Sequence, residues 1–488
     1  MPNSHAVLIV GAGPTGLMLA AELALAGVDV AIVERRDNQD LTGSRAGGLQ
    51  ARTIELFDQR GIADRFLNEG KIAQTAGFAG VTLDLTGFPT RHPYGLGLWQ
   101  THIERILAGR VEELGVPVYR GLGVAGLTED DTGVEIATRR GTMHAQYLVG
   151  CDGGRSRVRK AAGIDFPGWE ATTSNLIAEV EMSGKPPLGV HSSRMGRHSF
   201  GRVDYDIRDG KVVYADHGPL RVMVTEAGIG EGEPTIHDLR AALMAACGTD
   251  YGLSSAAWIS RFTDATRQAA EYRKGRVLLA GDAAHIHAPD GGQGLQLGVH
   301  DAVNLGWKLA QVVKGQSPDT LLDTYHAERH AVAARTLRMT MASVALRRED
   351  DRNQAMRVTV AELLMMDEPK KHLTAELSGL GIRYDLGGDH PLVGRRMPDL
   401  DLMTHDGPMR VFALLHDARP LFLDFTGVAI AAPDHVRIVR AEQPAAFDLP
   451  VIGRIDAPPA VLVRPDGYVA WAGGDGLIEA LTRWGWRA

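Results

Sequence analysis

Two hydrophobic rhythms divide the chain. Short, largely apolar runs at 6–10, 28–33, 147–149 and 277–280 have the character of strands buried on both faces, as in a parallel sheet between helices. Helix-period segments follow at 17–26, 49–61, 103–114 and from about 295 to 310. Between 173 and 225 the period shortens toward two, at 173–182, 199–206, 211–214 and 220–225, with a turn at 208–210. This predicts a mostly antiparallel sheet, to which 89–99 adds a strand or lid and after which 236–247 is a helix. A long helix is predicted at 321–346 and two more at 358–366 and 372–379. Past the turn-rich stretch 391–399, short strands at 411–415, 421–424, 436–439, 461–463 and 469–471, a hairpin at Pro465-Asp466-Gly467 and a closing helix at 476–484 make a separate small domain.

Glycines punctuate this pattern where chemistry is expected. Gly11, Gly13 and Gly16 lie between the first run and its helix, and Glu34 ends the next run. In such a strand–helix–strand unit the first glycine makes the turn, the second admits a pyrophosphate and the third lets helix and strand pack. Glu34 is placed to accept hydrogen bonds from a ribose and disfavours a 2′-phosphate, although Arg35 and Arg36 follow as possible counter-charges. The motif alone does not choose between NAD and FAD. Arg45, in the loop beyond, and Gln100, near a helix start, are candidate donors to the same ligand. Asp152 stands at the end of the 147–149 run, before Ser156 and Arg159. The 277–280 run ends in Gly281-Asp282 and continues through Pro289-Asp290-Gly291-Gly292-Gln293-Gly294 into a helix near Leu295. Glycines at the head of a helix open backbone N–H groups to an electron-rich or anionic partner, such as the rim of a reduced isoalloxazine.

Composition removes other classes. With 488 residues, 44% hydrophobic and 23% charged, the chain holds two or three cores. A net charge of −8 without a long basic run argues against nucleic acid or an anionic membrane as partner. Two cysteines, Cys151 and Cys247, give no disulfide framework, and the first residues lack a signal-peptide pattern, so a cytoplasmic setting is expected. His285, His287 and His300 lack further ligands at metal spacing, so no metal is expected. The chain has no G-x-S-x-G elbow.

Gly11-x-Gly13-x-x-Gly16, Asp152-Gly153-x-x-Ser156-x-x-Arg159, and Gly281-Asp282 with Pro289-x-Gly-Gly-Gln-Gly294, in this order, resemble the class A flavoprotein aromatic hydroxylases of the para-hydroxybenzoate hydroxylase fold. Over nearly the whole chain the likeness is to the branch acting on angucycline and anthracycline polyketides. The resemblance implies an α/β architecture: a glutathione-reductase-type FAD-binding Rossmann domain (1–75, 100–172 and 273–390), an inserted antiparallel-sheet substrate domain (76–99 and 173–272) and a thioredoxin-like C-terminal domain (391–488). It implies an FAD-dependent monooxygenase that consumes NADPH or NADH and O2 and hydroxylates a polycyclic aromatic polyketide through a C4a-hydroperoxyflavin. Baeyer–Villiger insertion, antibiotic modification and a non-oxygenating FAD-binding partner protein are the alternatives, and the assembly is expected to be a monomer or homodimer. FAD would be held by Gly11, Gly13, Gly16, Glu34, Arg35, Arg45, Gln100, Asp152, Arg159, Asp282, Pro289, Gly292, Gln293, Gly294 and Leu295. Pro289, Gly291 and Gly292 would lie where oxygen reacts. Trp99, Phe200, Tyr205 and Met223 are candidate substrate-lining residues. The chain departs from the family at Gln296, where asparagine is common, and at Asp290, a carboxylate beside a flavin that becomes anionic.

Overall fold

The computed structural model describes residues 3–486 apart from 79, 194, 209–210, 349 and 428–432, so most of the turn expected at 208–210 lies outside the described residues. Ser4–Val10 pairs in parallel with Val30–Val33 on one side and with Gly141–Gly150 on the other. Val277–Leu279 extends the sheet beyond Gly141–Gly150, and Val118–Tyr119 beyond Val30–Val33, again in parallel. The strand order therefore reverses about Ser4–Val10, and the carboxyl ends at Val10, Val33, Gly150 and Leu279 share one edge. In open α/β sheets ligands bind at such a switch point. Val7, Leu8, Ile9, Ala31, Ile32, Leu148, Val149, Leu278 and Leu279 are all fully buried, which is why these runs carry no polar alternation.

Helices Pro14–Leu25 and Gln293–Val313 pack against each other over this sheet. Small residues permit the approach: a Cβ on Gly298 would stand 2.2 Å from Thr15 Oγ1, and one on Gly306 would stand 2.5 Å from Glu22 Cβ.

The second sheet runs Gly189–Ser193, Gly196–Arg202, Leu220–Thr225, Ser174–Met182, Leu253–Thr263, antiparallel throughout. One face (Leu176, Ala178, Val180, Val222, Val224) closes on Leu239 and Leu243 of helix Ile236–Cys247. The other carries half-buried Ile177, Glu179, Arg221 and Met223 toward the nucleotide-binding unit, where Arg221 donates to the Ser44 carbonyl. The sequence placed 199–206 and 211–214 in this sheet. Instead the chain breaks after Arg202, and Tyr205–Arg208 and Lys211–Tyr214 form a separate ribbon. Likewise, Gly95–Gly97 joins Gly48–Leu49 and Lys71–Ala73.

In the C-terminal part Leu421–Asp424 pairs in parallel with Arg437–Arg440 and antiparallel with Ala460–Val463, which pairs with Val469–Ala472. The strand expected at 411–415 is a 3-10 turn, Phe412–Leu415, whose leading N–H is accepted by Asp399 at 2.9 Å. An apolar run without polar interruptions does not declare its period. Among the described residues no helix is long and apolar enough to cross a membrane.

The hairpin around Asp466 is driven into the nucleotide-binding unit. Arg464 Nη1 and Nη2 donate to Glu328 at 2.8 and 2.7 Å, and Asn304 donates to both Glu328 (2.7 Å) and Asp466 (3.2 Å). Lys308 Nζ lies 3.1 Å from Glu328. Arg52 and Arg60 donate to the carbonyls of Asp466 and Pro465 at 3.1 and 2.7 Å. Two carboxylates thus face two cations, none more than 5% exposed. Burial alone would raise Glu328, but Arg464 and Lys308 outweigh it and hold the carboxyl at about 2. Asp301 is held at about 2 in the same way, by Arg329 and His285 against burial.

These depressed values give stability that is complete above the ordinary carboxylate values of 3.8 and 4.5 and is lost as pH falls toward about 2. Melting temperature should drop steeply through that window, and Glu328→Gln should flatten the fall. A variant profile parallel to that of the parent protein would assign the acid sensitivity elsewhere.

Candidate active site

The glycine turns meet at the carboxyl edge of the parallel sheet. Gly11 takes φ 111°, and a Cβ there would stand 2.4 Å from the Cys151 carbonyl oxygen, so the ends of two neighbouring strands touch only through glycine. A Cβ on Gly16 would stand 2.0 Å from the Gly11 carbonyl oxygen. Gly13 has nothing within 4 Å of that point and is the open side of the turn. Two of the three positions are thus closed to any side chain by backbone, and the middle one is open.

Glu34, 5% exposed, accepts from Ala12 N at 2.6 Å and Arg36 N at 2.8 Å. Arg36, not Arg35, turns toward the motif. Its Nη2 donates to the Ala12 carbonyl at 2.9 Å and its Nη1 to Glu104 at 3.1 Å, while Arg35 is exposed. Adjacent residues leaving a strand end diverge, and Arg35 takes the solvent side. Glu104, 2% exposed, also accepts from Gln39 and Gln100, each at 2.8 Å. Arg36, named with Arg35 as a possible counter-charge, is joined here by Gln39 and Glu104, which sequence reasoning missed; no local spacing links Glu104 to the first motif. Gln100 Oε1 also accepts from Ala46 N at 3.2 Å. Arg45 donates to Ser260 Oγ at 3.1 and 2.7 Å, tying the loop after the second strand to the antiparallel sheet.

Asp152 and Arg159 bind the second motif to its neighbours in the protein. The Asp152 carboxylate accepts from Arg157 N at 2.7 Å and Val158 N at 3.2 Å, satisfying the start of helix Arg157–Ala161. Arg159 lies 3.7 Å over the Phe166 ring and donates to the carbonyls of Ala283 at 2.7 Å and Gly154 at 3.0 Å. Both are expected to contact the nucleotide; within the protein Asp152 holds the start of the helix that follows it, and Arg159 ties the second glycine turn to the third.

Asp301 organises that third turn from beneath. It accepts from Gly281 N at 3.0 Å, His285 Nε2 at 2.7 Å and Arg329 Nε at 2.7 Å, all wholly buried, which leaves Asp282 facing outward. Pro289 is exposed, Gly291 and Gly292 take φ 67° and 63°, and helix Gln293–Val313 begins with no side-chain cap. Its first N–H groups and partial positive charge are thus presented by backbone alone. The Gln293 side-chain amide donates to the Leu377 carbonyl at 3.1 Å and to the Gly291 carbonyl at 3.5 Å, tying the glycine turn to the end of helix Asp367–Leu377. Gln296 donates to the Gly48 carbonyl at 2.9 Å and the Gly292 carbonyl at 3.3 Å and accepts from Gln50 N at 3.3 Å. The departure from asparagine therefore fastens the 48–50 loop to the glycine turn. The three histidines have separate partners: His285 on Asp301, His287 on the Ala288 carbonyl at 2.6 Å and His300 on Thr53 at 3.1 Å.

Where the antiparallel sheet meets the 44–47 loop, Arg221 lies 4.4 Å over the Trp99 ring and 3.2 Å from Glu179, and Tyr205 meets Trp99 edge-on at 5.6 Å. Trp99 Nε1 donates to the Val203 carbonyl at 3.0 Å. Burial pushes the Tyr205 hydroxyl up and lowers Arg221. Met223, two residues from Arg221, shares its face. Phe200 does not. Strand alternation turns it to the far side, fully buried against Leu239 and Leu243, with Tyr251 edge-on at 5.2 Å.

An open pyrophosphate turn, two carboxylates at strand ends and an uncapped helix start on one sheet edge fit a flavin dinucleotide, and define an FAD-binding oxidoreductase domain. The chain matches the FAD binding domain family over residues 4–340 and the aromatic-ring hydroxylase C-terminal family over residues 390–487. It belongs to the FAD-dependent aromatic-ring hydroxylases, which are flavoprotein monooxygenases. It is 42% identical to the 12-dehydrotetracycline 5-monooxygenase/anhydrotetracycline 6-monooxygenase of Streptomyces rimosus over 98% of both chains. It is 43% identical to a rifampicin monooxygenase of Streptomyces venezuelae over 98% of this chain and 97% of that one. The structure of OxyS anhydrotetracycline hydroxylase from Streptomyces rimosus matches with a TM-score of 0.88 and 40% identity, covering 99% of both chains.

Proposed function

We propose that the protein is an NADPH- or NADH-consuming monooxygenase that places one atom of O2 on a polycyclic aromatic polyketide. The observation that carries this reading is the convergence of three glycine turns at one sheet edge, with Trp99, Tyr205, Arg221 and Met223 clustered where the antiparallel sheet meets the 44–47 loop. Relatives named for tetracycline and rifampicin oxygenation support a fused-ring substrate. Bound FAD would supply what side chains lack, namely hydride acceptance and activation of O2.

The residues then divide the work. Gly11, Gly13 and Gly16 admit the pyrophosphate, and Glu34 and Asp282 take ribose and ribityl hydroxyls. Arg45 and Gln100 flank the ring, while Pro289 and the N–H groups of 291–295 meet its pyrimidine rim. The Trp99 cluster orients the substrate and excludes water, and Arg221 favours the ionised form of a phenol or enol, so no side-chain base is required. In the same reading residues 1–75, 100–172 and 273–390 form a glutathione-reductase-type FAD domain, 76–99 and 173–272 a substrate domain, and 391–488 a thioredoxin-like domain without a cysteine pair. A cytoplasmic monomer or homodimer would suffice.

Incubation with isotope-labelled O2, NADPH and a panel of anhydrotetracycline- and rifampicin-type probes tests this. One labelled oxygen in a hydroxyl group is expected. Label in a ring-expanded ester would make the reaction Baeyer–Villiger insertion. Absence of both label and substrate-stimulated NADPH oxidation would leave an FAD-binding protein without oxygenase activity.

A further inference from the structure

The loop that starts at Pro289 carries a carboxylate, Asp290, directly before the two left-handed glycines. The long helix Asp323–Leu346 packs on this loop, and Arg347 at its C-terminal cap sets its guanidinium against the Asp290 carboxylate. The two side chains are 32% and 11% exposed, so salt and water screen the pair less than a surface pair. Arg197, on strand Gly196–Arg202 of the antiparallel sheet, lies close enough for its charge to act on Arg347. The helix end and the loop thus bring opposite charges together just before helix Gln293–Val313.

The signs decide what this cluster does. A helix start offers roughly half a positive charge. A carboxylate beside it brings a full negative one, and alone would reverse the local potential. We propose that Arg347 is a charge-compensating residue of the cofactor site, cancelling Asp290 so that the glycine turn and helix start remain positive toward an anionic reduced flavin. This rests on the flavin placement proposed above. Arg347 acts through Asp290 and does not itself need to touch the cofactor. A charge-neutral loop would have needed no such partner, so the otherwise adverse carboxylate and the helix-end arginine form one functional unit.

The test is a mutant cycle read as the two-electron midpoint potential of bound FAD, by equilibrium titration against a reference dye. Arg347→Met should hold oxidised FAD but lose about tenfold of its preference for the reduced form, a fall of about 30 mV. Asp290→Asn alone should raise the potential, and the double variant should return close to the parent value. A purely structural contact would change melting temperature or oxidised-FAD affinity and leave the potential in place. The proposal is overturned if Arg347→Met keeps the parent potential, or if the double variant is not restored. Should Arg347→Met fail to fold, Arg347→Gln takes its place with the same expected fall of about 30 mV, and an unchanged potential refutes the compensation. Parent protein that takes up no FAD would sink the flavin placement itself, before any variant is compared.

Discussion

Exchange of Arg464 for methionine is expected to remove about 3–5 kcal/mol of stability, because it takes one partner from a buried ion pair and leaves the other charge uncompensated. Glu328 would keep only Lys308 and Asn304 in a setting where water reaches 5% of its side chain. Lys308 replaces only part of the loss, since it meets Glu328 through one contact at 3.1 Å where Arg464 donates two hydrogen bonds, at 2.8 and 2.7 Å. For the same reason Lys308→Met should cost distinctly less than Arg464→Met. The damage should extend to the cofactor, because Asn304 and Lys308 stand on helix Gln293–Val313, whose first turn belongs to the flavin site proposed above. Denaturant unfolding followed by far-ultraviolet circular dichroism, with flavin fluorescence as a second probe, measures both effects. An Arg464→Met protein as stable as the parent would show that the hairpin merely rests on the nucleotide-binding unit.

Gly13→Asp and Gly16→Val should fail in different ways. At Gly13 a side chain meets no protein atom within 4 Å, so the apoprotein should melt like the parent. The new carboxylate would occupy the space open to a pyrophosphate and repel it, and FAD affinity should fall by at least about a hundredfold, or ~2.7 kcal/mol. At Gly16 the first added carbon would stand 2.0 Å from a backbone oxygen, and no side-chain movement relieves that. Gly16→Val should therefore be insoluble or molten without reference to cofactor. Isothermal titration of apoprotein with FAD, paired with melting curves, separates the two. A Gly13→Asp protein with parental FAD affinity would move the dinucleotide off this sheet edge.

What could be inferred before the structure follows how local each signal is. Gly11, Gly16 and Gly281 announce themselves because a steric demand of the backbone is written into one residue, and the surrounding apolar runs say which strand each terminates. Arg35 and Arg36 share the same neighbourhood in sequence, and only the geometry of the strand end shows that Arg36 turns inward. Phe200 and Met223 are both large and apolar, and a shift of one residue exchanges the two faces of a strand. The register against Leu220–Thr225 puts Phe200 opposite Val222 and so on the helix-covered side. The 3-10 turn at Phe412–Leu415 was hidden by its uniformly apolar sequence, which shows no period although Ala413 is exposed. Glu104, Asp301 and Glu328 gave no signal at all, because each derives its role from partners on other elements, and side-chain type alone would class all three as surface acids.

The depth to which the Asp466 hairpin enters the nucleotide-binding unit also bears on how the chain is made. During synthesis the first strand, Ser4–Val10, leaves the ribosome long before Val277–Leu279 is available to complete its sheet. The Gln293–Val313 helix must in turn wait for Arg464 and Asp466. Until then Glu328 and Lys308 face an unfilled gap in a nascent intermediate. Cofactor capture should therefore be a late event, and a chain stalled before Arg464 should be a substrate for chaperones and proteases, not a smaller working enzyme.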